Sequence, residues 1–172
     1  MDRYVLRSAT TEDIPEIFTL IQVVGKNDDR VLFSYSKEYS HYEKLISNNP
    51  TVVATINGKI VGAFLSFIQD EDPLGVYKEM GFNEFKGVAL LEECVVDDKH
   101  RGHNLEQRMG SRLIDYIKAM SKYYYYDIHR VYVTVHPQNT ASLRSLDKIG
   151  FKPAKKTKLY GGMTRYILVM NV

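Results

Sequence analysis

Two apolar runs, TVVATI over 51–56 and KIVGAFLSFI over 59–68, are separated by Asn57-Gly58 alone. Asn and Gly both accept the positive φ that a two-residue turn between antiparallel strands demands, so this is the strongest hairpin signal in the chain. It sets an antiparallel pair of strands around which the other segments must be placed. YVLR reads as a short first strand, and Thr11 is expected to cap a helix in which Ile14, Ile17, Phe18 and Ile21 recur at helical spacing. Pro15 falls near that helix start, where a missing N–H costs little. Residues 36–47 read as a second helix.

Beyond the hairpin, 70–87 is an irregular stretch expected to cover a functional edge, and GVALLEECVV is a fourth strand. Leu105, Met109, Leu113, Tyr116, Ile117 and Met120 then form one apolar stripe of a helix, leaving Arg108, Arg112, Asp115 and Lys118 outward. RVYVTV is a fifth strand, TASLRSLDKIG a helix closed by Gly150, and KTKLYGGMTRYILVM a terminal hairpin around Gly161-Gly162. The order is β-α-α-β-β-β-α-β-α-β-β. With 172 residues, no repeat and no Pro/Gly/Ser-rich linker, the chain reads as one domain over 1–172.

Several functional classes are disfavoured by composition. The longest apolar-rich stretch, IVGAFLSFI, is far below the roughly 20 residues that span a bilayer, and MDRYVLRS has no apolar signal region, so neither membrane insertion nor export is expected. A single cysteine, Cys94, forms no internal disulfide, which suits a cytoplasmic location. The net charge of +2 is spread without a basic block, so no nucleic-acid partner is expected. The run KYYYYDIH, 122–129, is expected to pack rather than to stack on bases.

The segment DDKHRGHNLEQRMG carries the chemistry. A strand that turns through a glycine into a helix aims free backbone N–H groups and the positive end of the helix dipole at one place, which suits a phosphate. Arg101 adds a fixed positive charge, and Gly102 lets the backbone approach a ligand without a Cβ. The plainer alternative is an ordinary connection with a solvated arginine. No GxxxxGK[ST] or GxGxxG occurs, so nucleotide hydrolysis and hydride transfer lose their usual anchors. Asp97, Asp98, His100 and His103 lie close in sequence, but a polar surface loop explains them better than a metal site.

Together, VVDDKHRGHNLEQRM and VTVHPQNTASLRSLDKIGF resemble the GNAT superfamily of acetyl-CoA-dependent N-acetyltransferases. The resemblance implies an α/β (α+β) fold with a mixed, largely antiparallel central sheet flanked by helices. It also implies acetyl-CoA as co-substrate, no metal, and a small-molecule or peptide amine as acceptor. Terminal hairpins in the family often pair between subunits, which admits a homodimer. The family signature Q/R-x-x-G-x-G/A wraps the pyrophosphate of coenzyme A, which would assign that role to Arg101, Gly102, His103, Asn104, Leu105 and Glu106. Two positions depart from it. Asn104 replaces a glycine but tolerates a left-handed backbone. Glu106 replaces glycine or alanine, and its carboxylate must point away from a bound pyrophosphate.

By the same resemblance Asn139 contacts the pantetheine arm, and the backbone near Cys94, Val95 and Val96 pairs with that arm and polarises the thioester. Leu146 stands where the family often has a tyrosine that protonates the departing thiolate. Glu92 is the expected general base, nine residues before Arg101, with Glu93 in reserve because a bulge would exchange their faces. Phe33, Tyr35 and Tyr39 fall where the family binds the acceptor. Cys94 with His136 as a thiol nucleophile is the weaker idea, since direct transfer needs no covalent enzyme intermediate. The imperfect signature and Leu146 leave a second function class open, a coenzyme A sensor without turnover.

Overall fold

The computed structural model describes residues 4–28, 35–68, 75–81, 86–124 and 127–172. In chain order the elements are β1 (Val5–Ser8), α1 (Ile14–Lys26), α2 (Tyr39–Asn48), β2 (Thr51–Ile56), β3 (Lys59–Phe67), α3 (Val76–Glu79) and β4 (Val88–Val96). They continue with α4 (Leu105–Tyr124), β5 (Arg130–Val135), α5 (Thr140–Ile149), β6 (Lys152–Leu159) and β7 (Met163–Asn171). The order agrees with the one read from sequence except for α3, four residues of helix inside the stretch expected to be irregular. Among the described residues no helix is long and apolar enough to cross a membrane.

The strands form one seven-stranded sheet in the order β1-β2-β3-β4-β5-β7-β6. Every neighbouring pair is antiparallel except β4–β5, which is parallel. The β2–β3 turn has Asn57 at φ 50 and Gly58 at φ 80, the doubly left-handed geometry that Asn-Gly supplies cheaply. Strand β2 alternates its side chains between two cores. Val53 joins Ile17, Ile21, Tyr42 and Leu45 on the side of α1 and α2, while Val52 and Ala54 join Met109, Leu113, Ile117 and Leu146 on the side of α4 and α5. Burial on both faces explains why the sequence of this strand is almost continuously apolar.

Local chemistry sets the helix ends. Thr11, expected to cap this helix, instead opens a 3-10 turn that leads into α1: Thr10 caps that turn, with Asp13 reaching back to the Thr10 N–H at 2.8 Å in a capping box, and Asp13 stands at the N-cap of α1 itself. Arg7 grips the same carboxylate at 2.6 and 2.8 Å, tying β1 to the start of α1. The Arg7 hydrogen bond is the main cause that lowers the Asp13 carboxyl to about 2. Helix α5 ends as read from sequence: Gly150 at φ 119 donates to the Asp147 carbonyl at 3.0 Å, and the Phe151 N–H donates to Leu146 at 3.0 Å. That pair of bonds is a Schellman motif, with Phe151 buried as its apolar lock. Helix α4 lies close against its neighbours at Gly110, where an added Cβ would come within 2.5 Å of Ile149 Cδ1 and 3.1 Å of Phe64 Cε1.

The tyrosine run is described only in part. Tyr123 is exposed, which departs from the expected packing, and Tyr125 and Tyr126 lie outside the described residues.

Candidate active site

The site begins where two parallel strands stop pairing. The β4–β5 ladder joins Val88–Leu91 to Arg130–Val133 and ends there, although β4 continues to Val96 and β5 to Val135. On its other edge β4 stays paired with β3 through Val96. Residues 92–96 thus carry a free backbone edge facing a cavity of about 730 Å³, lined by Glu92 to Val96 on one side and Val133 to His136 on the other.

A bulge in β4 decides which side chains face which end. Opposite β3, Leu65 pairs with Glu93 and Ser66 with Leu91, so Glu92 is the extra residue. Before it, Ala89 and Leu91 pack toward α4 and α5, and Leu90 toward α1 and α2. After it the parity is reversed: Cys94 and Val96 pack toward α4 and α5, and Val95 toward α1 and α2. Regular alternation would put Glu92 and Glu93 on opposite faces. The bulge instead directs both toward α2, where Glu92 Oε1 lies 3.1 Å from His41 Nε2 and Glu93 Oε1 accepts from the Tyr42 hydroxyl at 3.1 Å.

Both acids are largely out of water, with the Glu92 side chain 7% exposed and Glu93 6% exposed. The second oxygen of each, Glu92 Oε2 and Glu93 Oε2, is buried without a hydrogen-bond partner among the described residues. Burial, and next the neighbouring Glu92, push the Glu93 carboxyl up to about 8. Tyr42 is anchored by the Ser36 N–H, which donates to its hydroxyl at 2.9 Å. Tyr35, Tyr160, Asp28 and Arg165 complete this end of the cavity. The Tyr160 hydroxyl lies 2.7 Å from Thr134 Oγ1, and the Arg165 guanidinium stacks on its ring with the centroid 5.3 Å away.

The opposite end is built from the turn into α4. Gly102 at φ 83 and Asn104 at φ 55 are both left-handed, so the Asn at the signature's glycine position adopts the backbone that glycine would. The first N–H groups of α4 have no acceptor within the helix. Arg101 lines the cavity while its guanidinium pairs with Asp98 Oδ1 at 2.6 Å; both side chains are well exposed, so the pair holds the arginine only weakly. Glu106 also lines the cavity, turned toward α5, where Ser142 Oγ donates to its Oε1 at 2.5 Å. Burial is the main cause that raises its carboxyl above the ordinary glutamate value, against the hydrogen bond from Ser142, which lowers it. Asn139 caps α5 by accepting from the Ser142 N–H at 3.2 Å, which leaves its NH2 group to donate elsewhere.

Most of the predicted residues come together here. Glu92, Glu93, Cys94, Val95, Val96, Arg101, Gly102, Asn104, Leu105, Glu106, Asn139 and Tyr35 all line the one cavity. His103 does not; its ring lies 5.1 Å from that of Tyr4. Tyr39 is exposed and stands edge-on to Phe18 instead of lining the cavity. Phe33 lies outside the described residues. Burial pushes the Cys94 thiol well above its ordinary value, which leaves it protonated and unsuited to be a nucleophile. The residues considered as loop metal ligands are otherwise engaged: Asp97 accepts from the Lys99 N–H, Asp98 holds Arg101, and His100 bonds the Tyr4 hydroxyl. His41, Tyr42 and Tyr160 gave no local sequence signal.

A family model described as Acetyltransferase (GNAT) family matches residues 14–151. The chain belongs to this family of acetyltransferases. Solved structures share its fold. A GNAT-family acetyltransferase from Streptococcus pneumoniae is 18% identical, with 99% of both chains covered and a TM-score of 0.75. A ribosomal-protein-alanine N-acetyltransferase from Brucella melitensis is 17% identical over 98% of this chain and 99% of its own, with a TM-score of 0.75. A Salmonella typhimurium protein solved with its cofactor acetyl-CoA is 17% identical over 98% of this chain and 93% of its own, with a TM-score of 0.71. No curated protein matches the sequence.

Proposed function

We propose that the protein transfers the acetyl group of acetyl-CoA to a primary amine by direct attack in a ternary complex. One observation carries this reading: a cavity with free helix N–H groups at one end has two buried carboxylates at the other, and an unpaired strand edge runs between them. Acetyl-CoA, when bound, supplies an activated acyl group on a thiol that leaves readily, with a pKa of about 8.5.

The residues present suit that molecule. The N–H groups at the start of α4, with Gly102, Asn104 and Arg101, are disposed for a pyrophosphate. The β4 edge from Cys94 to Val96 offers backbone groups to the amides of a pantetheine arm, in the manner of an added strand. The Asn139 NH2 group is a further donor toward the same arm.

A lysine-like amine, with a pKa of about 10.4, is only a few ten-thousandths free base at neutral pH, so the site must take a proton before attack. Glu92 is assigned that task, with His41 holding its Oε1 and Oε2 left without a hydrogen-bond partner among the described residues. Glu93, steadied by Tyr42 and with its carboxyl pushed up to about 8 by burial, stands beside it as a second titratable group. Tyr35 and Tyr160 wall this end and limit water. Leu146 is buried in the core, so no tyrosine on α5 assists thiolate departure from that position.

Incubating the protein with acetyl-CoA and a panel of diamines, amino acids, aminoglycosides and N-terminal peptides tests the proposal. Thiol release that depends on an amine, with the acetylated amine identified by mass, is the expected result. Binding of acetyl-CoA without turnover on any acceptor would favour the sensor reading, which the departures at Asn104, Glu106 and Leu146 keep as the second candidate.

A further inference from the structure

We propose that His41, Glu92 and Glu93 form a binding site for a zinc-class divalent cation at the acceptor end of the cavity. One imidazole nitrogen and one oxygen from each carboxylate lie within 4.8 Å of one another. Zinc bonds of about 2.0–2.2 Å would set the ligands roughly 3.4 Å apart, which modest side-chain rotation reaches. His41 Nε2 and Glu92 Oε1, at 3.1 Å, already have such a separation.

Two further features mark the cluster as more than adjacent charges. Glu92 Oε2 and Glu93 Oε2 are buried lone-pair donors with no partner among the described residues, a costly arrangement that a cation would relieve. Outer groups that orient ligands are also in place. The Tyr42 hydroxyl donates to Glu93 at 3.1 Å, and the Tyr42 ring stands edge-on to His41 with centroids 4.9 Å apart. His41 is half exposed and gives a cation a route in from solvent. Imidazole with two carboxylates favours zinc or a neighbouring transition ion over magnesium and calcium, which take mostly oxygen and more ligands. Three protein ligands leave a coordination position for water.

A cation held there would occupy both carboxylates and stop acetyl transfer in competition with the amine. That consequence rests on the proposed function, whereas cation binding itself does not. Calorimetric titration of zinc chloride into the full chain tests the site, with acetyl-CoA titrated separately into each variant. The expected result is one equivalent of zinc bound by the native protein. Affinity should fall by at least about tenfold in His41→Ala, and by about tenfold in Tyr42→Phe, which keeps the ring but not the hydroxyl. Acetyl-CoA binding should be unchanged in His41→Ala, so failure of the metal site and failure of the acetyltransferase reading are separable. No zinc binding to the folded native protein would overturn the proposal. So would unchanged binding in His41→Ala, or binding lost only when His100 and His103 are both replaced by alanine.

Discussion

Glu92→Gln is expected to lower the turnover number by about 10²–10⁴, the range a positioned general base contributes, while acetyl-CoA affinity stays as in the native protein. The size follows from where the residue sits. Glu92 is the bulged residue of β4, its side chain is 7% exposed, and the residue lines the cavity beside a second carboxylate. Glutamine has nearly the same volume and keeps an oxygen for the His41 contact, so the fold should be retained and the loss should fall on proton removal. Steady-state kinetics on a responsive amine, paired with calorimetry, reads the two effects apart. If Glu92→Gln keeps full turnover and Glu93→Gln loses it, the base is Glu93.

The largest expected effect on stability is that of Phe151→Ala. Phe151 is 1% exposed, belongs to the core between the sheet and α4–α5, and closes the Schellman motif through its N–H to Leu146. Removing a buried phenylalanine ring costs about 3–5 kcal/mol, from lost transfer energy and from the cavity left behind. For a chain of this length each kcal/mol lowers Tm by about 2–4 °C, so thermal unfolding should move down by roughly 10 °C. An unaltered Tm would mean that the α5 end repacks without Phe151.

Local chemistry made much of the fold legible. Asn57-Gly58 has no good alternative to a tight hairpin, Gly150 and Phe151 close a helix by a fixed pattern of bonds, and Leu105, Met109, Leu113 and Ile117 of the α4 stripe are buried as their spacing requires, with Tyr116 and Met120 only half-buried at its margin. The cap at Thr10 was available in the same way, since Asp13 stands at the capping-box distance; two adjacent threonines made the choice ambiguous. What sequence did not reveal is non-local. The bulge at Glu92 arises from how β4 meets Leu65 and Ser66 of β3, which no window along β4 contains. His41 and Tyr42 reach the site because α2 packs on β3, the neighbour of β4, and sets them against Glu92 and Glu93, and Tyr160 arrives from the last hairpin. His103 shows the converse: it lies within the signature, yet its side chain turns to Tyr4. A motif supplies backbone at such positions, and the side chain follows its neighbours.

Glu106 illustrates how a departure from a motif can be absorbed. A carboxylate at the start of α4 would repel a pyrophosphate if it stood in the open. Here it is turned toward α5 and bonded to Ser142, whose N–H is in turn capped by Asn139. The two helix ends flanking the cavity are thereby joined through one short chain of hydrogen bonds.

The central claim is that acetyl-CoA binds along the β4 edge with its pyrophosphate at the turn into α4. Calorimetric titration of acetyl-CoA into the native protein and into Arg101→Ala tests it most directly. The account predicts micromolar binding to the native protein and about fivefold weaker binding to the variant, the modest change expected for an exposed arginine. A folded native protein that does not bind acetyl-CoA would contradict it.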